Sequence, residues 1–192
     1  MESKINGQIV RPAKLKEDVS SFVKETFEWG SSVIWAVVAT LFITTFLMLF
    51  TVVGTSMLPT LHEGDRLFVN KFMYTPKRGD IVTINTLNSI DKNIVKRVIA
   101  TSGDNFKINY NTQEIFVNGK LLEEPYINEP SEVVGDWDIP EVIPQGYVLV
   151  MGDNRNHSFD SRFKELGLVK VSSLYGKAFA IFWPFDRIQM FN

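Results

Sequence analysis

No Asp, Glu, Lys, Arg or His occurs between Glu28 and His62, and inside that gap residues 33–53, VIWAVVATLFITTFLMLFTVV, are almost wholly apolar. A helix that crosses a hydrocarbon layer needs about 20 residues at ~1.5 Å each, so this stretch is long enough to span a bilayer. A buried core helix is the alternative, but such a helix is usually shorter and interrupted by a polar edge. A cleavable signal peptide fits less well, because its apolar segment runs to about 7–15 residues before an A-x-A-like site, and no such site follows here. The expected organisation is an N-terminal arm over residues 1–32, a transmembrane helix over 33–53 and one domain over 54–192.

The arm carries Arg11, Lys14, Lys16 and Lys24, whereas the near C-terminal flank has Arg66 and Lys71. Basic excess marks the side that stays in the cytoplasm, so the N-terminus is expected inside and residues 54–192 outside, in a single-pass protein of the cell membrane. Leu15, Val19, Phe22, Val23 and Phe27 recur at helical spacing. The arm is therefore predicted to enter the membrane as an amphipathic helix with Trp29 near the interface.

Composition removes several classes of function. Twenty basic and 22 acidic residues leave a formal charge of −2, too nearly neutral for a protein that binds nucleic acid by neutralising phosphates. With no cysteine there is no disulfide framework, no thiolate nucleophile and no Cys-based metal site. Only His62 and His157 are available, so a three-His metal centre is out of reach and neither a metal nor another cofactor is expected.

Beyond residue 54, short runs rich in Val, Ile, Phe and Tyr recur at 66–69, 81–84, 94–100, 106–110, 115–117, 147–151 and 178–183. That spacing predicts a mostly antiparallel β domain. Asn118-Gly119 lies between EIFV and KLL, and both residues tolerate positive φ, so a type I′ hairpin turn is expected there. Pro125, Pro130, Pro140 and Pro144 mark residues 123–144 as loop, part of a small β and loop excursion over about 105–145.

Four stretches could carry chemistry. Ser56 stands in GTSMLPTL directly after the apolar run. Taken alone, a Gly-Thr-Ser at a helix end is more often a cap or linker than a nucleophile. Lys96 stands in IVKRVI, where strand alternation puts it on the face of Ile94 and Val98 while Arg97 shares the other face with Val95 and Ile99. An ammonium with a reference pKa of about 10.4 is free base in only about one molecule per thousand near neutrality, but burial lowers that value by ~3–5 units. A buried Lys96 could thus deprotonate Ser56; an edge-strand lysine that reaches water is the alternative. The segment GDNRNHSFDSR, residues 152–162, reads either as a solvated turn with an Asp160–Arg162 surface pair worth under ~1 kcal/mol, or as a support in which Ser158 holds the lysine amine and the pair braces the turn. RGDIV at 78–82 reads as a turn into a buried strand.

In order, the apolar span, S-M-x-P, R-G-D-I-V, K-R-V-I-x-x-x-G-D and G-D-N-R-x-x-S-x-D-S-R resemble the bacterial type I signal peptidases of the compact Gram-positive type, membrane-bound serine proteases with a Ser/Lys dyad. The resemblance implies a largely antiparallel β catalytic domain outside the cytoplasm that removes signal peptides from exported preproteins. It implies Ser56 as nucleophile, Lys96 as general base and acid, Ser158 as the residue orienting Lys96, Asp160 and Arg162 as a supporting salt bridge, and Gly152 and Asp153 as a structural turn. Met57, Pro59, Ile94 and Val98 are the expected walls of shallow substrate pockets that accept small side chains at P1 and P3. Membrane lipid and the secretion translocon are the further partners expected. Gly54 departs from Gram-negative relatives, which carry a hydroxyl donor for the oxyanion at that position, and Ala100-Thr101-Ser102 replaces the usual Gly-Leu-Pro. The competing readings are a membrane-tethered β domain that binds exported chains or a partner without cleaving them, and a self-cleaving Ser/Lys repressor, for which no DNA-binding module is evident.

Overall fold

The computed structural model describes the backbone of residues 3–5, 8–10, 12–72, 74–86 and 93–191, with side chains from residue 21 onward other than Phe42. The side chains of Arg11, Lys14, Leu15, Lys16 and Val19, on which the amphipathic arm was to rest, lie outside the described residues. The chain divides into two compact units, residues 1–45 and 46–192.

The first unit holds β1 (Ser3–Ile5) and β2 (Gln8–Val10), an antiparallel pair, followed by α1 (Pro12–Phe46). Proline suits the first turn of a helix, where its missing N–H would have no partner. Over Ser21–Phe46 the helix is long and apolar enough to cross a membrane, and none of that stretch is buried within the protein. Its hydroxyls satisfy themselves. Ser32, Thr40, Thr44 and Thr45 each donate to the carbonyl four residues earlier, which suits them to apolar surroundings.

The apolar run does not stay helical to residue 53 as expected. Helix α1 ends at Phe46, and β3 (Leu47–Thr51) pairs antiparallel with β4 (Arg66–Asn70), from Leu47 opposite Asn70 to Thr51 opposite Arg66. The cause is a change of period inside the run. Met48, Phe50 and Val52 pack into the core while Leu49, Thr51 and Val53 are exposed, which is the two-residue alternation of a half-buried strand. Hydropathy alone does not distinguish that pattern from the end of a span.

The remaining strands are β5 (Ile81–Ile84), β6 (Ile94–Ala100), β7 (Phe106–Asn109), β8 (Glu114–Val117), β9 (Lys120–Leu121), β10 (Tyr147–Met151), β11 (Val169–Lys170), β12 (Leu174–Trp183) and β13 (Gln189–Met190). Those expected from sequence are all present, with β12 starting four residues earlier. The main sheet has the order β11-β10-β6-β5-β12-β4-β3, with β13 on β12, and its pairings are antiparallel. Strand β6 divides the core: Val95 packs with Val52, Met57, Leu67 and Ile181, whereas Val98 packs with Val82, Ile84, Val148 and Val150. Strands β7, β8 and β9 form a separate three-stranded sheet. Asn118 and Gly119 turn it at φ 55° and 73°, the positive values a type I′ turn requires.

Candidate active site

Lys96 sits in the middle of the main sheet, but its strand is not paired along its whole length. On one edge β5 covers β6 from Arg97 back to Ile94; on the other, β10 pairs only with Arg97, Val98 and Ala100. Among the described residues, 94–96 therefore keep one open edge. Ser56 reaches this edge from a tight turn after β3. Gly54 takes φ +84°, a left-handed value that side chains rarely adopt, and the turn closes through Leu58 N–H to the Thr55 carbonyl and Leu61 N–H to the Met57 carbonyl. Asn154 then ties the turn to the far side of the site. Its N–H donates to the Ser56 carbonyl at 3.0 Å, and its Nδ2 donates to the Thr55 carbonyl at 3.1 Å.

The result is a contact of 2.6 Å in which Lys96 Nζ donates to Ser56 Oγ. Lys96 is 3% exposed. Burial pushes its ammonium down to about 8; Asp160 and Asp153 pull it partly back, and Arg162 adds to the lowering. At such a value about a tenth of the molecules hold the neutral amine at pH 7, where an ordinary lysine has fewer than one in a thousand. In that neutral form the bond reverses, with the Ser56 hydroxyl donating to the nitrogen.

The 152–162 segment is no solvated turn. Asp160 and Arg162 are fully buried and joined twice, Nε to Oδ1 at 2.8 Å and Nη2 to Oδ2 at 2.9 Å. Burial alone would raise the Asp160 carboxyl, but the Arg162 guanidinium, helped by the Gly152 N–H at 3.0 Å, more than reverses this and holds it charged. Arg162 also donates to Ser131 Oγ and to the Arg155 carbonyl. Gly152 has no room for a side chain, because a Cβ there would overlap Ser158 Oγ, Ser158 Cβ and the Ser56 carbonyl oxygen. Asp153 is buried against Arg97, with Nε to Oδ1 at 2.8 Å and Nη2 to Oδ2 at 2.6 Å, and accepts from Thr60 Oγ1.

Ser158 departs from expectation. Its hydroxyl is buried beside Gly152 and near enough to Asp160 to favour the charged carboxylate, yet among the described residues it makes no hydrogen bond of full geometry, to Lys96 or any other group. The expected pocket walls are not brought together either. Met57 joins Val52 and Val95 in one apolar cluster next to the dyad, whereas Ile94 and Val98 pack in the other. Pro59 is exposed and lines a different cavity with Arg97, Tyr126 and Arg187. Val52 and Val95 were missed because each was read only as part of a run, although each stands within four residues of a dyad member. Asn154, and Arg155 with its bidentate partner Glu124, were missed although both lie in the quoted G-D-N-R motif; their partners are remote in sequence. Among the described residues no three His, Cys, Asp or Glu side chains converge as metal ligands would.

The family described as signal peptidase, peptidase S26, matches residues 26–183. The chain belongs to this family. It is 41% identical over 177 residues to the signal peptidase I of Bacillus licheniformis, covering 85% of this chain and 91% of that one. It is 35% identical over 190 residues to signal peptidase I S of Bacillus subtilis, covering 93% and 100% respectively. A crystal structure of a signal peptidase I from Enterococcus faecalis is 25% identical with a TM-score of 0.44, over 54% of this chain and 97% of that one. As a member of the signal peptidase family the protein is a membrane-associated serine endopeptidase that processes signal peptides of preproteins.

Proposed function

We propose that the protein is a Ser/Lys endopeptidase anchored by α1, with its N-terminus in the cytoplasm and residues 46–192 outside, which cuts exported preproteins after small-x-small sequences. The observation that carries this reading is the 2.6 Å contact between Lys96 Nζ and Ser56 Oγ, made by a lysine that is almost completely buried. Neutral Lys96 takes the Ser56 hydroxyl proton as Oγ attacks the scissile carbonyl carbon. The tetrahedral oxyanion faces the Ser56 N–H, which has no acceptor among the described residues. Gly54 offers no side-chain donor, so the backbone carries a contribution that, at a comparable donor, is worth about 2.7–4 kcal/mol. The Lys96 ammonium then protonates the leaving amine, and water, deprotonated by the neutral Lys96 so regenerated, releases the acyl group from Ser56.

The open edge at 94–96 suits strand addition, which holds an extended substrate by its main chain without reading sequence. Val52, Met57 and Val95 then wall the P1 position. They are close-packed, and overpacking such a wall costs ~1–3 kcal/mol, which favours alanine-sized groups. Placement at the membrane surface agrees with the exposed Trp183 at the end of β12 and Phe185 just beyond it, while Ile181 belongs to the core. A substrate whose own apolar segment lies in the same bilayer, delivered by the secretion translocon, would meet the dyad at that height.

The test uses the detergent-solubilised full chain and a preprotein with Ala at P1 and P3. Wild type should cleave it and Ser56→Ala should not, while P1 Leu should slow cleavage at least about tenfold. Cleavage by Ser56→Ala, or equal rates for Leu and Ala, would contradict the reading.

A further inference from the structure

A chain added along the open edge of β6 cannot continue past Lys96, because from Arg97 onward β10 occupies that edge. With P3 to P1 laid along 94–96, parallel to β6, the residues after the scissile bond must leave the sheet there. At that exit lies Asn154, whose N–H holds the Ser56 carbonyl, and Leu58, two residues beyond the nucleophile. Both line a cavity of about 220 Å³ whose other walls include Asn128, Glu129 and His157. Asp153 and Arg155 also border it, but Asp153 is paired with Arg97 and Arg155 with Glu124. Glu129 is different. Its carboxylate is at the surface and accepts only from the neutral amide of Asn156 at 3.1 Å, so it is the cavity's one unneutralised carboxylate among the described residues.

We propose that this cavity receives a side chain from the first two residues of the mature polypeptide, and that Glu129 makes it favour basic over acidic side chains. The proposal rests on the Ser/Lys reading above, with P3 to P1 laid along the open edge of β6. The cavity is polar and open to solvent at Glu129, so the preference is modest. An exposed ion pair alters a rate by about twofold to fivefold.

The test uses the full chain in detergent and six preproteins with Ala at P1 and P3, in which P1′ or P2′ is Lys, Gln or Glu. At one of the two positions kcat/KM should fall in the order Lys, Gln, Glu by about twofold to fivefold per step, and the spread should shrink as salt is raised. Glu129→Lys should invert the order and Glu129→Gln should flatten it. His157→Gln, which removes the other surface titratable group of the cavity, should keep the order. Equal rates at both positions, an order unchanged by Glu129→Lys, or an order lost in His157→Gln would overturn the proposal while leaving the Ser/Lys reading intact. Cleavage that survives Ser56→Ala would overturn that reading, and this placement with it.

Discussion

Lys96 and Arg97 are consecutive on β6 and point to opposite sides of the sheet, yet their surroundings could hardly differ more. Arg97 is given everything a buried cation requires. It has two bonds to Asp153, one to the Gly79 carbonyl at 2.7 Å, and the Tyr126 ring 4.0 Å away. Lys96 has Ser56 Oγ, and the carboxylate that bears on it most, Asp160, is already committed to Arg162 and the Gly152 N–H. A guanidinium never gives up its proton in a protein, whereas a desolvated ammonium does. One side of the strand therefore builds with a paired charge, and the other holds a cation without an ion-pair partner among the described residues, whose pKa burial lowers to about 8.

Removing the unpaired cation should break the comparison most sharply. Lys96→Met should lower kcat/KM by about 10³ or more, the upper part of the range for a positioned acid–base group, without loss of fold. Because the folded protein holds this amine at about 8 against 10.5 in the open chain, the unfolded state binds more protons between those values. Wild-type stability should thus rise with pH across that window, and Lys96→Met should abolish the rise and be more stable near pH 7 by up to ~3 kcal/mol. Urea unfolding at several pH values checks this; strong destabilisation would make the amine a structural group.

The paired side should respond in the opposite way. Arg97→Met leaves Asp153 buried without its cation, and stability should drop by ~3–5 kcal/mol, read as a lower urea midpoint. Gly152→Ala tests the junction between the two sides. The added Cβ meets a backbone oxygen of Ser56 that cannot rotate away, so the turn must shift, at ~1–3 kcal/mol of stability and up to about 10² in rate if Oγ is misplaced by about 1 Å. The smallest effect belongs to the outlying hairpin. Gly119→Ala, at φ +73°, should cost about 1 kcal/mol and leave kcat/KM unchanged.

The meeting of Lys96 with Ser56 was legible in the sequence because each stands in its own spaced motif, and the face of Lys96 was legible because strand alternation is strict. Three other features were not. Residues 47–53 are apolar in the same degree as a span, and only the exposure of Leu49 and Val53 reveals a strand. Glu124 lies in a proline-rich stretch 31 residues from Arg155, with no local sign that the two are paired. The cluster of Val52, Met57 and Val95 depends on how the turn after β3 packs against β6, whereas the sequence grouped Met57 with Ile94 and Val98.

The central claim is that burial turns Lys96 into a base for Ser56 near neutral pH. Its most direct test is kcat/KM of the full chain on an Ala-x-Ala preprotein between pH 6 and 10. The rate should rise about tenfold per pH unit, because only the neutral amine accepts the proton, and should level off near pH 8. A flat profile from pH 6 to 9, or a rise that continues toward the ordinary lysine value of about 10.4, would contradict it.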